Sequence, residues 1–407
     1  MKTVDEHLAD CLRGIDVLAP IELQLLDAQS CVLAEDVTAG TDLPVFDNSA
    51  MDGYAVRAAD VATASPTTPV ILPVVGDVPA GSTAAHGLAH GTAIRIMTGA
   101  PLPAGADAVV QVELTDGGIA KVQINGAVPV GRHVRRGGDD LVRGDLVLPA
   151  GTRLGPRQLG LLAAIGRDRV LARPKPRVVV LSTGSELVEP GAPAVGGQIW
   201  DSNSFLITTA AREAGAVAFR IGIVPDEPKQ LLDAIEDQLI RADLVVTTGG
   251  VSVGAYDVVK EVMSRLGTVE FDRISMQPGM PQGRGVIGPD RTPIFTLPGN
   301  PVSAYVSFEV FVRPVIRQLL GARTIYRPEV RAASLTGFSS PAGKRQFARG
   351  ALGVEDGRYV VQPLDGQGSH RVRDLAYSNS LIVVPEDVTE VPEGGTVKVM
   401  VLERRLT

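Results

Sequence analysis

Three short segments carry residue types that handle anions. They are Ser-Thr-Gly-Ser-Glu at 182–186, Thr-Thr-Gly-Gly-Val-Ser-Val-Gly at 247–254 and Leu-Pro-Gly-Asn-Pro at 297–301, each following an apolar run. Gly249, Gly250 and Gly254 have no Cβ, so backbone N–H groups there can approach an oxyanion closely. Ser252 and Ser303 add hydroxyl donors, and helix starts expected after Ser252 and Asp257 add favourable dipoles. Carboxylates gather near the same turns: Glu186, Asp201, Asp226, Asp243 and Asp257. Such a group suits Mg²⁺, which takes oxygen ligands and often uses one or two carboxylates plus a phosphate. Helix capping is the alternative for Asp201 and Asp257. The chain has no GxxxxGK[ST] and no GxGxxG opening a helix, so it has neither a P-loop nor a dinucleotide-binding turn. On these residues alone the turns suit a phosphate or pterin-phosphate ligand without naming one, and each turn taken singly also reads as a plain strand-to-helix turn.

A fourth segment, Pro44 to Arg57, places Asp47, Asn48, Ser49 and Asp52 between apolar flanks. A plain turn needs fewer polar groups. A loop that presents them to a ligand or partner is the sharper reading.

The elements that must position these residues follow from periodicity. Apolar spacing predicts helix through the first forty residues, over Val-Asp-Glu-His-Leu-Ala-Asp-Cys-Leu-Arg-Gly-Ile and again from Ile21 to Val37. Residues 66–150 alternate short apolar runs with turns, which predicts a β-rich module, and residues 154–166 return to helix. The Pro-rich stretch 172–177 marks a boundary. After it, strands and helices alternate, which implies a parallel sheet with helices on both faces. Ligands of such sheets sit beyond the carboxyl ends of the strands, where all three turns fall. A long helix from Tyr305 to Gly321 closes this unit. From about 328 onward, short alternating strands predict a small β-barrel or sandwich.

The net charge of −7 and the absence of a basic run argue against nucleic acid as the main partner. The two cysteines, Cys11 and Cys31, form no CxxC pair, so they read as reduced thiols rather than a zinc or redox site. The acidic start of the chain is not a signal peptide, and no run approaches the roughly 18 apolar residues of a membrane helix. A cytoplasmic location with no membrane partner is the expectation.

Longer motifs then carry a resemblance. Phe-Asp-Asn-Ser-Ala-Met-Asp-Gly-Tyr-Ala-Val-Arg (46–57), the stretch from Ile96 to Glu113, residues 149–156, 182–187, 197–203, 247–260 and 297–304, and the tail segments 343–350 and 366–370 occur in this order. In these the chain resembles the molybdenum insertases, the molybdopterin molybdenumtransferase family that includes the gephyrin C-terminal domain. The resemblance implies a homodimer of four domains: 1–42 with 140–172 (domain I, helical and elongated), 43–139 (domain II, β-rich), 173–327 (domain III, α/β and molybdopterin-binding) and 328–407 (domain IV, a β-barrel). The central doubly wound α/β domain would be similar to molybdopterin adenylyltransferase. The implied reaction inserts molybdate into adenylylated molybdopterin, with Mg²⁺-dependent cleavage that releases AMP and molybdenum cofactor. Molybdopterin adenylyltransferase and molybdoenzyme maturation factors are the implied protein partners.

Carried over residue by residue, the family pattern makes Asp52, Thr98, Glu186 and Asp257 catalytic. It gives Mg²⁺ to Asp226, Asp257 and Glu186. Substrate would be bound by Gly249, Gly250, Ser252, Gly254, Arg273, Pro298, Asn300, Pro301, Ser303, Arg349 and Ser369, and a further family acid falls on Asp140. Asp52 and Thr98 would face domain III of the other subunit. The pattern is broken where Gln277 and Met280 replace common lysines and Ser185 replaces an aspartate, although Arg273 keeps one charge there and Arg284 could add another nearby. These departures keep open a specialised or non-catalytic paralogue that binds molybdopterin or acts as a dimeric scaffold. Molybdopterin adenylylation is a further reading, but it gives the flanking domains no purpose.

Overall fold

The computed structural model describes residues 1–249, 261–262 and 265–403. Asp257, Gly250, Ser252 and Gly254 therefore lie outside the described residues, as does half of the helix expected over 258–267. The chain divides into two compact units. One comprises Met1–Glu22, Ser30–Ala34 and Leu171–Thr407, the other Leu23–Gln29 and Glu35–Val170.

Helix α1 (Val4–Leu12) begins with a capping box: the Thr3 hydroxyl accepts the Glu6 N–H while the Glu6 carboxylate accepts the Thr3 N–H. Val4, His7 and Cys11 fall on one buried stripe, and the His7 ring meets Phe311 edge-on. The helix expected from Ile21 to Val37 does not form. Short strands occupy Ile21–Gln24, Val32–Leu33 and Val37–Thr38 instead, separated by turns. Ser30 adopts φ +69°, a left-handed conformation that no helix interior accommodates, and Val32–Leu33 find strand partners at Ala172–Arg173. The leucine spacing fitted both periods, and tertiary pairing decided between them.

In the smaller unit, α2 (Pro156–Ala164) forms where helix was expected, with Pro156 at its first position and Leu162 buried. Five strands make the β-rich module: β1 (Gly53–Val56), β2 (Val70–Val78), β3 (Ala93–Ile96), β4 (Ala108–Gln111) and β5 (Lys121–Ile124), in the order β4-β1-β3-β2-β5. Tyr54, Val56, Val110, Val122 and Ile124 fill one of its cores.

The larger unit is built on six strands: β6 (Arg177–Thr183), β7 (Val217–Val224), β8 (Leu244–Thr248), β9 (Gly267–Arg273), β10 (Pro281–Ile287) and β11 (Thr292–Leu297). Their order is β7-β6-β8-β11-β10-β9. The first four are mutually parallel, but β10 runs antiparallel to both β11 and β9. The sheet is thus mixed rather than wholly parallel. The runs Gly-Thr-Val-Glu-Phe-Asp-Arg and Pro-Gln-Gly-Arg-Gly-Val-Ile are too polar and glycine-rich to announce strands, and the pair sits at a sheet edge where only partial burial is needed. Helices α3 (Asn203–Ala214) and α4 (Pro228–Leu239) take opposite faces. Val178 and Val180 of β6 pack with Ile207 and Ala211 of α3, whereas Val179 and Leu181 pack with Leu231 and Ile235 of α4.

The closing helix is interrupted. Helix α5 (Pro301–Ser307) passes through a π-turn at Phe308–Val312 into α6 (Arg313–Leu319). Pro314 has no N–H to donate back to Val310, so the ladder slips by one residue. The slip carries Glu309 into the interior. Arg327 grips it with Nε and Nη2 at 2.8 and 2.9 Å, and also donates to Glu213 and to the Leu402 carbonyl. The chain then forms β12 (Glu329–Ser334), β13 (Arg345–Glu355), β14 (Arg358–Pro363), β15 (Ser380–Val384) and β16 (Thr396–Val401). The order β13-β14-β12-β16-β15 closes through β15–β13 pairing into a five-stranded barrel. No helix among the described residues is long and apolar enough to cross a membrane.

Candidate functional site

The turns at the carboxyl ends of β6, β8 and β11 come together. The Gly249 N–H donates to the Leu297 carbonyl at 3.1 Å. Gly249 has φ +92°, and a Cβ on it would stand 2.3 Å from the Thr183 carbonyl, while a Cβ on Gly299 would lie 3.7 Å from the Gly249 Cα. A side chain at 249 would therefore break the junction of all three turns, which explains a glycine there. Pro298 is buried, while Asn300 is exposed at the entry to α5, ahead of Pro301 and the buried Ser303.

A buried polar network underlies this junction. Asp201, 1% exposed, accepts the Ser182 hydroxyl at 2.9 Å and the Ser204 N–H at 3.0 Å. Ser182 lies 2.9 Å from the Thr248 hydroxyl, which ties β6 to β8. Asp201 thus caps the first turn of α3, the plainer of its two sequence readings. Asn203 donates to the Gly299 carbonyl at 2.6 Å, which connects α3 to the third turn, and its Oδ1 is buried without a partner. Ser182, Thr248 and Asn203 lie within the segments that the sequence marks, but the sequence assigns them no role. Single hydroxyls and amides give no spacing signal.

Asp226 and Glu186 supply the acidic side. The Asp226 carboxyl is pushed up by burial and by the nearby Glu186 charge, against a hydrogen bond from the Ser185 backbone. Its Oδ1 is buried with no hydrogen-bond partner. Two mutually repelling carboxylates with an unsatisfied oxygen are a donor set that fits Mg²⁺. Among the described residues no group of three or more His, Cys, Asp or Glu could hold a metal ion. Asp243 does not belong here. It precedes β8, at the opposite end of the sheet, and forms a two-pronged ion pair with Arg177.

The barrel contributes a loop. The Ser369 carbonyl accepts the Val302 N–H at 3.1 Å, so 366–370 lies against the start of α5. Arg349 is fully buried beneath this loop, and its Nη2 donates to the Gly366 and Gly368 carbonyls at 2.6 and 3.2 Å. Its charge is spent on holding the loop that carries Ser369. Arg273 ends β9, and the register Arg273↔Pro281 with Gly283↔Thr296 brings it to the same sheet edge as the third turn. It is exposed, with Met280 Sδ 3.8 Å from Nη2. Gln277 is exposed on the short strand Met276–Gln277, which pairs with the start of β13. Arg284 supplies no charge to this edge, because it is paired with Glu270 at 2.8 Å and Asp10 at 3.3 Å.

In the smaller unit, Asp52 and Thr98 meet. The Thr98 N–H and hydroxyl both donate to Asp52 Oδ1, at 2.7 and 2.9 Å. The two hydrogen bonds hold the exposed Asp52 carboxyl below the usual carboxylate range. Asp47 accepts Arg136 and the Gly137 N–H, which staples residues 46–52 to 132–140, and its carboxyl is lowered by those bonds. Asp140 is exposed and its backbone N–H bonds to Leu43. Cys11 and Cys31 are buried thiols, and burial pushes the Cys11 thiol up to about 12, so it is no nucleophile at neutral pH.

Family models match along almost the whole chain: the MoeA N-terminal region (domain I and II) at 2–166, a probable molybdopterin binding domain at 179–318, and the MoeA C-terminal region (domain IV) at 331–402. Molybdopterin molybdenumtransferase 2 of Mycobacterium tuberculosis is 46% identical over 405 residues, covering 98% of this chain and 99% of the relative. The chain belongs to the MoeA family of molybdopterin molybdenumtransferases.

Molybdopterin molybdenumtransferase 1 of the same species is 41% identical, covering 99% of both chains. A crystal structure of the molybdopterin biosynthesis MoeA protein from Pyrococcus horikosii superposes with a TM-score of 0.78 at 32% identity, covering 99% of both chains. Within the MoeA fold, the sequence motifs sort into two groups. The strand-end turns, Glu186, Asp226, Ser369 and Arg349 belong to the larger unit, and Asp52, Thr98 and Asp140 to the smaller.

Proposed function

We propose that this chain is the transferase that inserts molybdate into adenylylated molybdopterin, releasing AMP and molybdenum cofactor. The observation that carries the reading is the junction of three glycine turns beside the Asp226–Glu186 pair, an anion cradle next to an incomplete cation site. Glu186 and Asp226, with Asp257, would hold Mg²⁺. When bound, the ion would offset the charge of the phosphoanhydride. Ser303 and turn N–H groups other than that of Gly249, which is given to the Leu297 carbonyl, would hold phosphate oxygens, and Arg273 would add a positive charge at the same edge. Asp52, kept ionised by Thr98, is suited to accept a proton from an attacking oxygen. Arg349 acts through the loop it braces, which presents Ser369 to the start of α5.

The active form proposed is a cytoplasmic homodimer, with Asp52 and Thr98 of one copy serving the turns of the other. Molybdopterin adenylyltransferase would supply the substrate, and molybdoenzyme maturation factors would take the product. Purified protein with adenylylated molybdopterin, Mg²⁺ and molybdate should release AMP. Retention of the intact adenylylated pterin would sink the reading. AMP release unchanged in Asp257→Ala would remove that residue from the site. The uncharged Gln277 and Met280 beside Arg273 favour, as the second reading, a paralogue with weaker hold on anionic substrate, for which a raised KM is the signature.

A further inference from the structure

Trp200 is the chain's only tryptophan, and it is 56% exposed. An indole of that size is ordinarily covered. Its surroundings fix it beside the acidic side of the site. Leu187–Val188 and Ile199–Trp200 form a two-stranded parallel ladder, in which the Ile199 N–H donates to the Glu186 carbonyl and the Asp201 N–H to the Val188 carbonyl. Asp201 is in turn bonded to Ser182 at the end of β6. Trp200 therefore stands one strand across and two residues along from Glu186, about 8 Å away from the usual strand spacing and rise per residue. This is a Cα–Cα spacing, short enough for a ribose to bridge a phosphate held near the carboxylate and a base on the indole. The ring is also held still, because Nε1 donates to the Ala192 carbonyl at 2.8 Å. A pinned ring loses little freedom on binding. Among the described residues, Phe205 is another exposed aromatic of this region, and it already has the Arg220 guanidinium over its ring at 4.1 Å.

We propose that Trp200 is the stacking platform for the adenine of the adenylylated substrate, and hence for AMP as it leaves. The proposal rests on the insertase reading and gives its nucleotide end a binding site. The substrate has two planar heterocycles, and the observations favour adenine over the pterin. With Nε1 spent on Ala192, the indole offers a π-face and no hydrogen-bond donor. Stacking of that kind tolerates any base and suits a leaving group that must depart after cleavage. The pterin needs its edge groups held while its dithiolene is loaded.

Because no other tryptophan is present, intrinsic fluorescence reports on this residue alone. Titrating the full-length protein with AMP in the presence of Mg²⁺ should quench it saturably, and neopterin should not. Calorimetry should show Trp200→Ala weakening AMP binding roughly 5- to 100-fold, the range of a lost aromatic–base stack, while Trp200→Phe keeps most of the affinity. AMP binding without quenching, with an unchanged Kd in Trp200→Ala, would overturn the proposal, as would quenching by neopterin in place of AMP. Conversion of the protein to monomers by Trp200→Ala would overturn it too, making the ring an interface contact. A separate turnover assay keeps the two readings apart. If AMP is released in turnover yet none of these signals appears, only the adenine platform falls. If no AMP is released or bound, the insertase reading falls with it.

Discussion

Asp52 and Asp226 are carboxylates that their surroundings push in opposite directions. Asp52 is exposed, and the Thr98 N–H and hydroxyl keep it charged. Asp52→Asn keeps the shape and removes the charge, so kcat for AMP release should fall about 100-fold or more, the usual worth of a positioned acid–base group. Thr98→Val deletes only the hydroxyl donor. The acid limb of its pH–rate profile should move to higher pH, because the depressed carboxyl rises when a hydrogen bond to its charged form is lost. An unmoved limb would deny Asp52 the role of base. Asp226 behaves oppositely, since burial and Glu186 raise it. A carboxyl whose folded pKa is raised favours the fold below the ordinary carboxylate range and penalises it as pH rises through the folded value. Asp226→Asn should therefore raise Tm by about 1–2 °C near pH 8, a small gain because the group is only partly buried, and the gain should vanish toward pH 4. Mg²⁺ should stabilise the wild type and not this variant. A variant less stable than wild type at pH 8 would show that Asp226 is a structural acceptor and not a metal ligand.

At the scale of elements, legibility depended on how strongly one period dominated. The strands ending at Thr183, Thr248 and Leu297 are buried almost throughout and mostly apolar because both faces of the sheet are covered, and their turns are readable for that reason. The edge strands β9 and β10 were not, because half-exposed polar and glycine-rich runs carry no periodic signal. The site was legible as glycine turns and carboxylates. The network of Ser182, Asp201, Thr248 and Asn203 that joins them was not, since it exists only once four separate elements meet. Gly249 is where both levels agree. Gly249→Ala places a methyl against the Thr183 carbonyl at positive φ, so a loss of about 2–4 kcal/mol is expected in urea unfolding, from backbone strain plus overpacking. A loss under 1 kcal/mol would mean that the turns can separate without cost.

At the scale of the whole molecule, Arg327 is one of several ties between the α/β sheet and the barrel, beside the Met276–Gln277 pairing with β13 and the shared core of Phe308, Phe347 and Leu381. Arg327→Leu strips buried Glu309 of both its guanidinium hydrogen bonds and leaves only Arg313 Nε, 3.7 Å away, which should cost up to about 3–5 kcal/mol in urea unfolding. Pairing it with Glu309→Leu should recover part of that loss, because two apolar groups replace a desolvated ion pair while Arg313 loses its carboxylate neighbour. If the double variant is as unstable as the single, the cost lies in the contacts to Glu213 and Leu402 and not in the stranded carboxylate. The proposed dimer makes a separate demand. If Asp52 of one copy serves Glu186 of the other, Asp52→Ala and Glu186→Ala proteins, each inactive alone, should complement when co-expressed. A mixed dimer then has one site with both defects and one with none. Random pairing makes half the dimers mixed, so activity should return to about a quarter of the wild type. Recovery requires exchange of copies within a closed two-fold assembly, and a chain using its own Asp52 cannot produce it. Activity that stays at the level of the single variants in a verified mixed dimer would place Asp52 and Glu186 in the service of the same copy.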